Sequence, residues 1–208
     1  MAKKALKGTF ITFEGPECCG KSTQARMLAD YLRSRGRRVV FLREPGGTPI
    51  SELIRKMLLD IKNEGLSRRS ELFLYMASRA QTVEDVILPA LKRGAVVICD
   101  RFLDSTVVYQ GYGLGIDLGL INDMGVFATQ GISPDLTILL DAPLKASLER
   151  IGSRKDRIES RSFAYHRRVK NGYRRLAGKE PQRIKVVRLA AEKDVTQQRI
   201  RALVEHVI

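Results

Sequence analysis

The chain has 208 residues, 44% hydrophobic and 29% charged, with a formal net charge of +14, and it is long enough to bury the core of one α/β domain spanning 1–208. No run approaches the roughly 18 consecutive apolar residues of a membrane span, and no signal-like stretch follows Lys3 and Lys4, so a cytoplasmic protein without a membrane partner is expected. Cys18, Cys19 and Cys99 form no disulfide framework and lack metal-ligand spacing, which suits a reducing compartment and argues against structural zinc.

The first element is Thr9-Phe10-Ile11-Thr12-Phe13, β-branched and aromatic as a buried strand should be. It runs into Gly15-Pro16-Glu17-Cys18-Cys19-Gly20-Lys21-Ser22, which fits G-x-x-x-x-G-K-[ST] and is followed by Thr23. Ala25, Leu28 and Leu32 then recur at helical spacing until Gly36 stops the helix. Strand, glycine loop and helix together mark a phosphate-binding P-loop, so Gly15 through Thr23 are the candidate ATP-binding residues. Backbone N–H groups face phosphate oxygens there, Lys21 reaches the β- and γ-phosphates, and the Ser22 hydroxyl helps hold Mg²⁺.

A second strand, Val39-Val40-Phe41-Leu42, ends at Arg43-Glu44-Pro45-Gly46-Gly47-Thr48, polar chemistry where open α/β sheets bind ligands. Thr48 is placed to cap a helix with Pro49 in its first turn; Ile50, Leu53, Ile54, Met57 and Ile61 form its apolar stripe, and Arg55 lies on another face. A further helix runs from about Ser70 toward Pro89. After Gly94, Ala95-Val96-Val97-Ile98-Cys99 reads as a buried parallel strand ending in Asp100-Arg101. An apolar strand ending in aspartate about 80 residues after a P-loop supplies the second half of a Mg-nucleotide site, so Ser22 and Asp100 are the candidate metal ligands.

The glycine-rich stretch Gln110 to Gly119 reads as a loop and 120–129 as a helix, followed by a strand at Leu136-Thr137-Ile138-Leu139-Leu140. Pro143 opens a helix carrying Leu144, Leu148 and Ile151. Arg150 to Arg161 is short, charged and Gly/Ser-containing, as a mobile lid would be. A helix with Val169, Tyr173 and Leu176, a strand Ile184 to Leu189 and a helix with Ile200, Leu203, Val204 and Val207 complete the chain. The fold expected is α/β, a P-loop NTPase-type five-stranded parallel sheet flanked by helices, with a short basic lid. Residues 145–188 carry 15 Lys/Arg against 4 Asp/Glu, which serves phosphate binding, a solvated surface or both.

Among P-loop chemistries, a regulatory GTPase should carry D-x-x-G and N-K-x-D, and neither occurs. A nucleic-acid ATPase or binding module would use the basic 145–188 segment, but aromatic interleaving there is thin. Arg43, Arg55, Arg79 and Arg101 instead fall on strand ends and helices that converge on a cleft, which suits a second, anionic small substrate. Nearly the whole chain resembles the bacterial thymidylate kinases. The resemblance rests on the P-loop with Glu17 at its third position, Arg43-Glu44-Pro45-Gly46-Gly47-Thr48, Ser78-Arg79-Ala80-Gln81, Asp100-Arg101-Phe102, Tyr109-Gln110-Gly111 and Asp156-Arg157-Ile158-Glu159.

The resemblance implies transfer of the γ-phosphoryl of ATP to thymidine monophosphate, serving dTTP synthesis and DNA replication, with Mg²⁺ as cofactor and ATP and thymidine monophosphate as small-molecule partners. It implies that Arg101 and Arg55 hold the acceptor monophosphate with Arg43 nearby, and that Glu17 accepts from the sugar 3′-hydroxyl. Tyr75 would stack on the base, Arg79 would donate to a thymine carbonyl, and Gln110 would meet the base or sugar edge. Lys21 and Arg101 are catalytic candidates. No basic residue occupies positions 16–19, so the lid must supply the cation on the transferring phosphoryl, with Arg154 and Arg157 the candidates and Arg150 a weaker one. A homodimer is implied, for which the apolar helices at 50–91 are either interface or core. The departures from the family pattern are Cys18-Cys19, Phe102 and Tyr75. Lys21 and the helix N-terminus should lower the pKa of the Cys18 and Cys19 thiols.

Overall fold

The computed structural model describes residues 6–152 and 155–208. Its centre is a five-stranded, wholly parallel sheet in the order β2-β3-β1-β4-β5, formed by β1 (Thr9–Glu14), β2 (Val39–Arg43), β3 (Val96–Asp100), β4 (Leu136–Asp141) and β5 (Ile184–Arg188). Because β1 lies in the middle and the chain winds outward on both sides of it, the crevice at its carboxyl end is the switch point where such sheets bind ligands. The register brings the site together there: Phe13 and Arg43 both stand beside Asp100.

Successive side chains leave a strand on opposite faces, and the core divides accordingly. Ile11 and Phe13 of β1, Val96 and Ile98 of β3 and Ile138 and Leu140 of β4 pack against α1 (Lys21–Ser34) and α9 (Lys193–Val204), meeting Leu28, Leu32, Ile200 and Val204. Phe10, Val97 and Cys99 face the other way, onto the long helical run α3 (Arg68–Thr82), a π-helical turn at Val83–Ile87, and α4 (Leu88–Lys92). Leu139 faces that same side, where α6 (Leu118–Thr129) and α8 (Phe163–Lys179) supply Ile121, Tyr165, Val169 and Tyr173. The wide π turn comes just before Pro89, so the helix passes through that proline and ends at Gly94, φ +74°.

One sequence expectation is corrected here, and one that the sequence left open is decided. The stretch from Gln110 is not a loop: after the short α5 (Leu103–Thr106), Val107–Gly113 continues as π-helix, and irregular chain occupies only 114–117. Its glycines serve close packing, because a Cβ on Gly111 would meet Leu118 at 2.4 Å and one on Gly113 would meet Tyr165 at 2.6 Å. The stripe on α2 (Pro49–Leu59), left open in the sequence between interface and core, lies mostly at the surface, and the helix buries Ser51 and Leu58 instead. Thr48 caps this helix as expected, accepting from the Ser51 N–H at 3.1 Å, but α2 packs through Ser51, whose hydroxyl lies 3.0 Å from both Ser78 O and Thr82 Oγ1. Ile50, Leu53 and Met57 are therefore left 52%, 61% and 51% exposed.

Candidate active site

The P-loop joins β1 to α1, and its shape depends on glycine at both ends. Gly20 is left-handed, φ +84°, and a Cβ on Gly15 would lie 2.6 Å from the Leu140 carbonyl oxygen. The first turn of α1 holds no acidic side chain, so its N–H groups are offered to an anion without competition. Lys21 Nζ donates to the Pro16 carbonyl at 2.6 Å and lies 3.7 Å from Cys19 Sγ, curled over the loop it follows. Opposite, Ser22 Oγ donates to Asp100 Oδ2 in a short hydrogen bond, while Asp100 Oδ1 is buried and has no hydrogen-bond partner among the described residues. One hydroxyl and one carboxylate with a free oxygen suit Mg²⁺, which takes few protein ligands and completes its shell with phosphate and water. Consistently, no group of three or more His, Cys, Asp and Glu among the described residues forms a self-sufficient metal site.

Gly20, Lys21, Ser22 and Asp100 line a cleft of about 940 Å³ that also includes Arg43. A second cleft of about 550 Å³ is lined by Tyr75, Arg79, Tyr109 and Gln110. Glu17, Glu44, Arg55, Arg101 and Asp156 line both, so the clefts meet at two arginines and three carboxylates. Arg101, left-handed at φ +73°, pairs with Glu17 at 2.8 Å and lies over the Tyr109 ring at 5.0 Å. Burial alone would raise the Glu17 pKa, but Arg101 and then Lys21 outweigh it and hold the carboxyl at about 2, so it is ionised at any working pH. Arg55 donates to the Pro45 carbonyl at 3.0 Å. Arg43 faces the P-loop cleft and pairs with Glu52 at 3.2 Å. Arg79 is buried, bound to Glu44 at 2.8 Å, Thr106 Oγ1 at 3.0 Å and the Phe102 carbonyl at 3.1 Å, and Gln110 donates to Glu71 at 2.8 Å.

Arg157 stands elsewhere than its expected place beside the P-loop. It is buried with Glu71 at 2.6 Å and its Nε donates to the Leu58 carbonyl at 2.7 Å. The reason is charge: Glu71 is fully buried and takes Arg157 and Arg161 together, both at 2.6 Å. Arg154 lies outside the described residues. The expected activation of the thiols is overturned at Cys18, whose pKa is raised by burial, then by the Glu159 and Glu17 carboxylates, against the opposing effect of Lys21. Burial raises the Cys99 thiol further still.

Several residues of this constellation carry no signal of their role in the sequence. Tyr173 reads as part of an apolar helix face, but its hydroxyl donates to Glu14 at 2.8 Å. Ser105 and Thr106 carry no motif, and both line the second cleft. Glu44 follows β2, and its partner Arg79 on α3 is 35 residues away, so the pair is made only by the fold.

A parallel α/β fold with a P-loop cleft opening into a second, arginine-lined cleft defines a phosphotransferase with a small anionic acceptor. The family described as Thymidylate kinase matches residues 13–200. The chain is 50% identical over 186 residues to a thymidylate kinase of Trichlorobacter lovleyi, covering 86% of this chain and 88% of that one. It is 48% identical to that of Desulfovibrio desulfuricans, covering 86% of each. The crystal structure of thymidylate kinase from Ehrlichia chaffeensis superposes with a TM-score of 0.80 at 33% identity, covering 95% of this chain and 98% of that one. The chain belongs to the thymidylate kinase family.

Proposed function

We propose that this chain transfers the γ-phosphoryl of ATP to thymidine monophosphate, giving thymidine diphosphate. It is an ATP-dependent nucleoside monophosphate kinase by family. The observation that carries the reading is the junction of the two clefts at Glu17, Arg55 and Arg101, where a donor γ-phosphate and an acceptor phosphate would meet. In this reading the P-loop amides and Lys21 bind the donor, and Arg101 and Arg55 bind the acceptor phosphate. Glu17, held ionised, accepts from the sugar 3′-hydroxyl. Arg79 donates to a thymine carbonyl, Tyr75 stacks on the base and Gln110 borders it. Ser22 and Asp100 would hold Mg²⁺, which when bound neutralises charge on the phosphates. The protein does little covalent work; it aligns two phosphates and excludes water.

The lid cation is assigned to Arg154, since positions 16–19 offer none and Arg157 is engaged by Glu71. Arg157 and Arg161 then tie the lid to α3. A homodimer is supported by apolar side chains on the outer faces of α2, α3 and α6, where Leu53, Phe73 and Phe127 are 61%, 63% and 87% exposed. Free cysteines support a cytoplasmic location, and no helix among the described residues is long and apolar enough to cross a membrane.

Lys21→Ala and Arg101→Ala should both abolish transfer but separate in binding. Only Arg101→Ala should raise the acceptor dissociation constant sharply, by about 1.5 to 3 kcal/mol for a lost charge-assisted contact. Equal weakening of acceptor binding in both variants would contradict the assignment.

A further inference from the structure

Glu14, the last residue of β1, lines neither cleft, yet it is wholly buried and among the described residues has no ion-pair partner. A buried carboxylate without a counter-ion is costly and needs compensating hydrogen bonds. Glu14 has them at both oxygens. Oε1 accepts from the Phe102 N–H at 2.7 Å; Oε2 accepts from the Ser105 hydroxyl at 2.6 Å and the Tyr173 hydroxyl at 2.8 Å.

All of these donors touch Arg101. The Phe102 N–H belongs to the peptide that follows Arg101, whose left-handed φ of +73° turns its side chain back over the P-loop. Arg101 Nη1 points at Gly15 O, Ser105 Oγ and Tyr173 Oη, at 3.1, 3.3 and 3.4 Å. A guanidinium only donates, so a hydroxyl that takes its N–H accepts with its oxygen and turns its own proton elsewhere; the Ser105 and Tyr173 oxygens also lie 3.0 Å from one another. Both find Glu14 Oε2. When ionised, this carboxylate accepts without donating and can take both hydroxyl protons at one oxygen.

We infer that Glu14 is a positioning residue for the acceptor phosphate: through Phe102 N, Ser105 and Tyr173 it sets the backbone and the guanidinium of Arg101. This rests on the reading of Arg101 as the acceptor-phosphate ligand. Burial and then Asp104 raise the Glu14 pKa to about 7, against the hydrogen bond from Ser105, the charge of Arg101 and the hydrogen bond from Tyr173.

The test is steady-state kinetics of Glu14→Gln and Tyr173→Phe, each with a thermal melt, together with equilibrium titration of the acceptor against both substitutions placed in the Arg101→Ala background. Glu14→Gln should raise the KM for thymidine monophosphate about tenfold and Tyr173→Phe about threefold, with the KM for ATP within twofold of wild type. With Arg101 removed, neither substitution should change acceptor binding further, measured by equilibrium titration. The inference is overturned if both variants fold and keep a wild-type acceptor KM, if ATP and acceptor KM rise together, or if either effect adds to that of Arg101→Ala. If Glu14→Gln does not fold, Tyr173→Phe decides alone. Should Arg101→Ala itself leave acceptor binding unchanged, the reading of Arg101 fails. Should it weaken binding while Glu14→Gln and Tyr173→Phe do not, only the role of Glu14 fails.

Discussion

Replacing Arg79 with methionine removes one partner of an ion pair that is almost fully enclosed, with Arg79 and Glu44 side chains 2% and 3% exposed and 2.8 Å apart. Methionine fills much of the volume but leaves the Glu44 charge buried, and Glu44 Oε1 already has no hydrogen-bond partner among the described residues. Burial raises the Glu44 pKa and Arg79 opposes that rise, so losing the arginine drives Glu44 toward the neutral acid. Breaking a buried pair from one side costs about 3–5 kcal/mol. At about 2–4 °C per kcal/mol for a chain of this size, the melting temperature should fall by roughly 6–20 °C. Adding Glu44→Gln removes the stranded charge, so the double variant should recover at least half of that loss. Calorimetry of the two variants beside wild type measures both quantities. A melting temperature for Arg79→Met within 2 °C of wild type, or a double variant no more stable than Arg79→Met, would refute the argument.

The exposed apolar faces of α2 and α6 predict self-association: Leu53→Asp or Phe127→Asp should convert a dimer to a monomer by sedimentation velocity, whereas unchanged sedimentation would remove these helices from the interface. Cys18 is the only partly accessible thiol, with Cys19 and Cys99 buried, so iodoacetamide should modify it first. Because its pKa is raised, labelling at pH 7 should be slow and should accelerate as pH climbs past the usual thiol value of 9.0. Bound Mg-ATP should protect it; equal labelling of all three cysteines by mass spectrometry would rule this out.

The frame of the molecule is legible in the sequence because each strand is a short apolar run and each helix repeats on a helical period. Thr9 to Phe13, the Gly15 to Ser22 loop and the apolar run into Asp100 lead to a Mg-nucleotide geometry almost without further information, since strand ends of a parallel sheet share one edge. Periodicity does not say what covers a face. The α2 stripe is as regular as any core helix, and only the contacts of Ser51 and the burial of Leu58 reveal that another face is the one turned inward. Glycine is ambiguous in the same way, marking a turn at Gly94 and a tight packing contact at Gly111. The thiols show a third gap. Lys21 and a helix N-terminus were visible beside Cys18, while the opposing Glu159 comes from the lid, more than a hundred residues away. Arg157 was legible as a lid residue, but its partner Glu71 sits on a distant helix that carries no motif.

A coupled ADP-release assay across the nucleoside monophosphates tests the central claim most directly. Thymidine monophosphate should give the highest kcat/KM, and cytidine monophosphates should be poor, because their exocyclic amine would meet Arg79 donor to donor. Preference for a cytidine or purine monophosphate, or no ADP release with any of them, would contradict the account.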